Sequence, residues 1–160
     1  MSDPGLLHHF GSKAGLLSSL LEERFAVDEV KLREGEELEL SQLAELLGAI
    51  ANENEGRRAG VKLLMVLFAE SFAKDHPAHG YFKDRYKHVR AILTTHIANE
   101  QRKGNISTEI PADHVASGLI ALMDGLQMQW LLDPKLDMAG AYTTMLSLLS
   151  GGLRKDLPRD

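Results

Sequence analysis

Cysteine is absent from this 160-residue chain, and so are long uninterrupted hydrophobic runs. Without cysteine the chain has no disulfide scaffold, no thiolate metal site and no cysteine nucleophile. No apolar run reaches the ~18 residues that span a bilayer, and the N-terminus has no basic segment followed by an apolar one. We therefore expect neither a membrane span nor a signal peptide, and the simplest prediction is a cytoplasmic protein.

An excess of positive charge is also missing. The chain has 18 Lys+Arg against 23 Asp+Glu, a formal net charge of −5, which argues against a protein whose whole surface binds nucleic acid. Hydrophobic residues make up 44% and charged residues 26%, which is typical of an ordinary soluble protein and not of a disordered one. A chain of this length is expected to form one domain, or one domain with a small appendage, and to bury roughly two-thirds of its unfolded surface.

Hydrophobic residues recur at helical spacing through most of the chain, and no segment keeps the alternation of a strand. The fold class is therefore predicted to be all-α, with about six helices. We predict helices that begin at Ser12 and near Ser41, a central buried helix over 61–73, and three more over 82–103, 115–132 and 138–153. Pro77, Gly104 and Pro134 mark the ends between them.

No group of residues predicts catalysis or metal binding. The chain has no Ser nucleophile elbow, no Gly-rich phosphate loop and no His-Glu-x-x-His motif. Adjacent His8 and His9 would point about 100° apart on a helix, and a solvated turn explains His76 and His79 around Pro77 better than a metal does. We predict no enzyme, no metal and no cofactor.

The helix over 81–103 carries six basic and two acidic residues. A nucleic-acid-binding stripe is one interpretation of that surplus. A solvated helix face is the better one, because the interleaved aromatic and aliphatic residues fall at core spacing.

Residues 5–17, which read GLLHHFGSKAGLL, have the most specific pattern. They resemble the end of the DNA-binding domain of TetR-family transcriptional regulators, where an aromatic-His-His-Phe stretch ends the recognition helix and a Ser-Lys pair opens the next helix. Residues 75–82, DHPAHGYF, and 122–134, LMDGLQMQWLLDP, are similar to later helices of the same family. The resemblance extends from residue 2 to about residue 153.

The resemblance implies three parts of the chain: residues 1–21 as a remnant of the helix-turn-helix domain, residues 22–153 as the effector-binding and dimerisation domain, and residues 154–160 as a tail. The residues that would face operator DNA are Ser2, His8, His9 and Lys13. The free N–H groups of the helix entered at Ser12 suit a DNA phosphate.

The helix-turn-helix departs from the family pattern. Leu7 stands where the family usually has Tyr, and the roughly 40 residues of the first two helices have no counterpart here. Since both helices of the motif are needed to hold it in the groove, operator binding is expected only when the missing helices are present. We expect Met1 to be a misplaced or truncated start.

The resemblance further implies a homodimer that pairs through its last two helices and a cavity for an effector. The expected interface residues are Leu119, Leu122, Leu126, Trp130, Tyr142, Met145, Leu146 and Leu149; the alternative is that the apolar sides they form pack within the core of one subunit. The expected cavity residues are Met65, Phe68, Phe72, His96, Met123 and Gln127; for each one taken singly, packing in the core is the simpler alternative. Met and Phe make an adaptable apolar lining, and His96 or Gln127 can orient a polar group. The effector is therefore expected to be small and largely apolar.

The sequence thus predicts a small-molecule-responsive regulator, of the TetR type, whose DNA-binding domain is incomplete. The alternative is a stand-alone helical module that binds a small apolar molecule or sequesters a full-length regulator and does not itself bind DNA.

Overall fold

The computed structural model describes residues 38–153, with side chains up to Leu149. This range contains five helices: α1 (Leu40–Glu55), α2 (Arg58–Glu70), α3 (His79–Arg102), α4 (Ala112–Leu132) and α5 (Met138–Leu153). No strand occurs among these residues, which confirms the all-α prediction. Four predictions lie outside the described residues: the helix from Ser12, the four residues expected to face DNA, the boundary at residue 21 and the tail.

Local sequence explains where the helices begin and end. At the start of α1, the Glu39 backbone N–H donates to Gln42 Oε1 at 2.9 Å, and the Glu39 side chain accepts a backbone N–H in return. This reciprocal capping satisfies two N–H groups that have no partner within the helix. α4 begins directly after Pro111, and Gly104 follows α3 with a φ of 81°, a conformation that glycine adopts without steric cost. The connection between α1 and α2 is short, because α1 ends at Glu55 and α2 begins at Arg58.

The core forms where α3 packs against α4 and α1 packs against α5, the two most extensive helix pairs. Leu43, Leu93, Ile97 and Tyr142 are almost completely buried there. The Tyr142 hydroxyl donates to the Leu119 carbonyl at 3.3 Å, which satisfies this polar group inside the core. α5 therefore joins α1 and α4 into one packed unit.

The prediction of a central buried helix over 61–73 is wrong. α2 ends at Glu70, and Val61 is its one fully buried residue, while Leu63 is 55% exposed and Val66 is also exposed. A helix that is apolar on all sides usually lies inside a protein, but composition does not say how many neighbours the helix has. α2 packs along one side only and leaves its other side open.

α4 is long and apolar enough, by length and composition, to cross a membrane. Its sequence is nevertheless not an uninterrupted apolar run, because Ser117, Asp124, Gln127 and Gln129 interrupt it. In the structure Leu119, Leu126 and Trp130 of α4 are buried within the subunit, against α3 and α5. α4 thus packs against the rest of the subunit along one side and faces outward along the other.

A buried carboxylate joins the end of α3 to the start of α1. Glu100 is 1% exposed, lies 3.0 Å from Lys103 Nζ and accepts a hydrogen bond from Asn105 Nδ2 at 2.9 Å. Burial by itself would raise the pKa of Glu100, but the hydrogen bonds from Asn105 and Lys103, the Lys103 charge and the Leu40 backbone N–H together lower it. Lys103 also lies 3.4 Å from Glu39, so the cluster fixes α3 to the entry of α1.

Candidate ligand cavity

All five helices contribute to one cavity of about 110 Å³. A cavity for one water molecule has roughly 10–15 Å³, and an engineered apolar cavity of about 150 Å³ holds benzene. The cavity is therefore of the size of a small organic molecule. It is lined by Leu47, Ile50, Asn54, Leu64, Met65, Phe68, Phe82, Arg85, Tyr86, Val89, Leu93, Leu119, Ile120, Met123, Asp124, Gln127 and Tyr142.

Three aromatic rings form one side of the cavity. The Phe68 ring of α2 lies with its centroid 5.4 Å from that of Phe82 and 5.2 Å from that of Tyr86, both on α3. Met65 and Met123 continue this apolar lining. Thioether side chains are flexible and make favourable contacts with aromatic rings, so this side can adapt to a flat apolar group.

A hydrogen-bonded pair forms the polar side. Tyr86 of α3 donates its hydroxyl to Asp124 Oδ2 of α4 at 2.7 Å. Burial raises the pKa of the Asp124 carboxyl, while the hydrogen bond from Tyr86 and the charge of Arg85 act in the opposite direction. Burial and the Asp124 charge raise the pKa of Tyr86 far above its usual value. The phenol therefore remains protonated and serves as the donor.

Gln127 adds an amide to the same wall. Its side chain is buried and lines the cavity one turn beyond Asp124, and it makes no side-chain hydrogen bond to another residue in the part of the chain that the structure describes. A buried amide usually has a partner, so Gln127 offers both a donor and an acceptor to a molecule in the cavity.

Four of the six predicted cavity residues lie on the wall: Met65, Phe68, Met123 and Gln127. Phe72 does not, because α2 ends at Glu70 and the helical spacing that would have placed it there stops. The Phe72 ring is 68% exposed and touches Phe68 edge-on at 5.0 Å between centroids.

His96 is also absent from the cavity wall. It is buried on α3, but the part of α3 that lines the cavity ends at Leu93. Its Nδ1 atom has no hydrogen-bond partner among the described residues. The position of His96 is therefore corrected to the helix packing beyond the cavity.

Sequence reasoning missed the pair Tyr86 and Asp124. One signal for Asp124 was available, since it is the sole charged residue between His114 and Asp133, and a carboxylate on an apolar helix needs a partner. Tyr86 gave no such signal, because its spacing is that of a core residue. The two residues are 38 positions apart, so no local pattern links them.

Five of the predicted interface residues are buried within the subunit: Leu119, Leu126, Trp130, Tyr142 and Leu146. Leu122 and Leu149 are partly buried, and Met145 is exposed. These five side chains keep little accessible surface outside the subunit core, and the dimer contact expected of them stays a prediction. Helical spacing identified the apolar side of each helix, but the subunit core already covers that side.

The outward sides of α4 and α5 carry a different set, which shares only Met145 with the predicted interface residues. We call Ala121, Met128, Leu132, Met145 and Leu148 the outer surface; all five are exposed. Met128 is 58% and Leu132 89% exposed. Exposed apolar residues of this size on adjacent helices are typical of a surface that contacts another protein.

Comparisons with known proteins match this arrangement. A family model described as BetI-type transcriptional repressor, C-terminal, matches residues 40–154, from the first residue of α1 to the residue after α5. Among solved structures, Salmonella enterica GusR is similar, with a TM-score of 0.69 and 24% identity over 94% of this chain and 79% of that chain. At that identity the similarity shows the fold alone. No curated protein matches the chain.

Proposed function

The chain belongs to the BetI-type transcriptional repressors of the TetR class, and from this premise we propose that α1–α5 bind a small, largely apolar effector and join two copies into a homodimer. The chain is thus a TetR-like transcriptional regulator. The effector, the homodimer, the operator contact through Ser2, His8, His9 and Lys13, and a cytoplasmic location are the proposed parts.

One observation carries the proposal: one side of α4 lines the cavity, and another side of the same helix is exposed at the surface. Met123, Asp124 and Gln127 line the cavity, whereas Met128 and Leu132 belong to the outer surface. A rotation or shift of α4 around a bound molecule therefore moves the outer surface as well. An effector that binds one arrangement of α4 better than another shifts the population toward that arrangement.

The outer surface is the proposed dimer interface. An obligate interface buries ~1,200 Å² or more and has an apolar centre, and the exposed apolar residues of α4 and α5 supply such a centre. Each copy would contribute the same surface, as in most symmetric dimers.

Sedimentation of one charged variant tests this interface. We expect the chain to sediment as a dimer at micromolar concentration and Met128→Arg to weaken the dimer by at least about tenfold, because a buried unpaired charge is costly at an interface. Leu63→Arg is the matched control, since Leu63 is equally exposed but lies on α2, and it should leave the dimer intact. A wild-type monomer, or equal dissociation by Leu63→Arg, would contradict the proposed interface.

Operator binding and effector binding are tested together. Gel shifts with the 160-residue chain and with a chain extended by the upstream codons should show specific operator binding in the extended chain. An effector should then change operator affinity by the same factor by which the operator changes effector affinity, because the two binding equilibria are linked. Unequal factors would show that the effector does not act through the proposed equilibrium.

A further inference from the structure

The charges on the cavity wall restrict which molecules can enter. Among the lining residues that the structure describes, Arg85 and Asp124 are the charged ones, and their charges are opposite. An ion of either sign would be attracted by one of these groups and repelled by the other, so the pair selects neither sign, while any ion would lose its water inside an apolar cavity. The wall therefore favours an uncharged molecule.

The hydrogen-bonding groups restrict it further. Asp124 accepts the Tyr86 hydroxyl with Oδ2, and a carboxyl group has further acceptor sites beside the one that Tyr86 uses. Burial raises the pKa of Asp124 above its usual value, although the hydrogen bond from Tyr86 and the charge of Arg85 oppose that rise, and toward Tyr86 the carboxyl group is the acceptor. A molecule that supplies an O–H or N–H donor therefore fits this point of the wall.

Cavity size and lining define the rest of the molecule. Phe68, Phe82 and Tyr86 form an aromatic side next to Asp124, and aromatic groups pack well against rings at these distances. The volume of about 110 Å³ is slightly below the ~150 Å³ that holds a benzene. One ring is close to this volume, whereas two fused rings exceed it.

We propose that the cavity binds an uncharged single-ring phenol or aryl alcohol, an inference that rests on the proposed effector-binding function. Its hydroxyl donates to Asp124 Oδ1, and its ring packs against Phe68, Phe82 and Tyr86. Gln127 accepts or donates a hydrogen bond at a second polar substituent of the ring.

Calorimetric titration of the 160-residue chain at pH 7 with related probes tests the proposal. The probes are phenol, benzyl alcohol, toluene, benzoate, benzylammonium and 2-naphthol. Phenol or benzyl alcohol should bind about tenfold more tightly than toluene, the effect of one hydrogen bond to a charged group. The two ions and 2-naphthol should bind at least about tenfold more weakly than phenol. Tighter binding of either ion, or equal binding of phenol and toluene, would overturn the proposal.

Variants assign the preference to the polar pair. The double variant Tyr86→Phe with Asp124→Leu removes both partners, so neither is left unpaired, and phenol should then bind no better than toluene. Asp124→Asn keeps an acceptor and should retain part of the preference, even if the double variant fails to fold. Asp84→Asn, an exposed acid on α3, is the control and should bind like wild type. A phenol preference that survives in the folded double variant would overturn the assignment, as would its complete loss in Asp124→Asn.

Two different outcomes separate the phenol assignment from the proposed regulation of operator binding. If another class of molecule binds and changes operator affinity, the cavity is an effector site and the phenol assignment is wrong. If phenol binds with the expected preferences and leaves operator affinity unchanged, the assignment of the cavity chemistry is right and the proposed regulation is wrong.

Discussion

Replacing Arg58 tests the contact by which α2 holds the end of α4. Arg58 Nη2 donates to the Leu131 carbonyl at 2.7 Å, and the guanidinium lies 5.2 Å from the Trp130 ring centroid. The Leu131 carbonyl is one of the last four in α4, which have no partner within the helix. Arg58 therefore satisfies a helix end and covers the ring beside it.

The expected cost of Arg58→Met follows from these two contacts. A hydrogen bond from a charged donor contributes about 1.5–3 kcal/mol, and a cation–π contact at a partly exposed site adds about 0.5–1 kcal/mol. Water can replace the lost donor, since Leu132 at the same helix end is 89% exposed. We therefore expect a loss of about 2 kcal/mol, which for a chain of this size lowers Tm by about 4–8 °C.

Arg57→Met is the matched control for this measurement. Arg57 is the neighbouring residue, and its ion pair with Glu53 is long, at 3.8 Å, and solvent-exposed. Such pairs contribute about 0.5 kcal/mol or less. Urea unfolding measures the loss of stability in both variants. The protein concentration is kept fixed, because dimerisation would make the stability depend on concentration. Equal losses in the two variants, or no measurable loss in Arg58→Met, would refute the reasoning.

Three further predictions concern single residues. Because folding lowers the pKa of Glu100, its carboxylate stabilises the fold above the unfolded pKa of about 4.3, and this contribution is lost as the pH falls through the folded pKa. In urea unfolding from pH 2 to 6, Glu100→Gln should make the free energy of unfolding depend less on pH. Glu45→Gln, at an exposed site, is the control and should not change that dependence. His96→Leu removes the unpartnered buried Nδ1 and should leave Tm unchanged or raise it; a loss of more than about 1 kcal/mol would show that the imidazole has a partner. Gly48→Ala should stabilise the fold by up to about 1 kcal/mol through helix propensity. The new Cβ would lie 3.3 Å from Thr143 Oγ1, an exposed side chain that can rotate away. A lower Tm by calorimetry would show that Thr143 does not rotate away.

The helices were predictable because their signals are local. The last helix was predicted over 138–153 and spans Met138–Leu153, and the prediction of 115–132 misses only the first turn of α4. Helical hydrogen bonds join residues four positions apart, so spacing and end signals act within a short window. α2 shows the limit of this reasoning, since an apolar composition does not reveal that Leu63 faces solvent.

The candidate site was partly predictable for a different reason. Met65, Phe68, Met123 and Gln127 were assigned through the resemblance to a family, which places whole helices around a cavity. The pair of Tyr86 and Asp124 was not assigned, because the two helices that carry it meet only in the folded chain. Asp124 alone was conspicuous, as an acid within an apolar segment.

The amino-acid sequence by itself determined the helical class, most helix ends and the membership in a family of regulators, because each depends on residues close together or on an extended pattern. Only the tertiary structure decided which side of α4 and α5 is buried. Helical spacing shows that Leu119, Trp130 and Tyr142 share apolar sides, but not whether the neighbour is the same subunit or another copy. That choice depends on contacts between distant segments, which bury these residues inside the subunit and leave Met128 and Leu132 exposed.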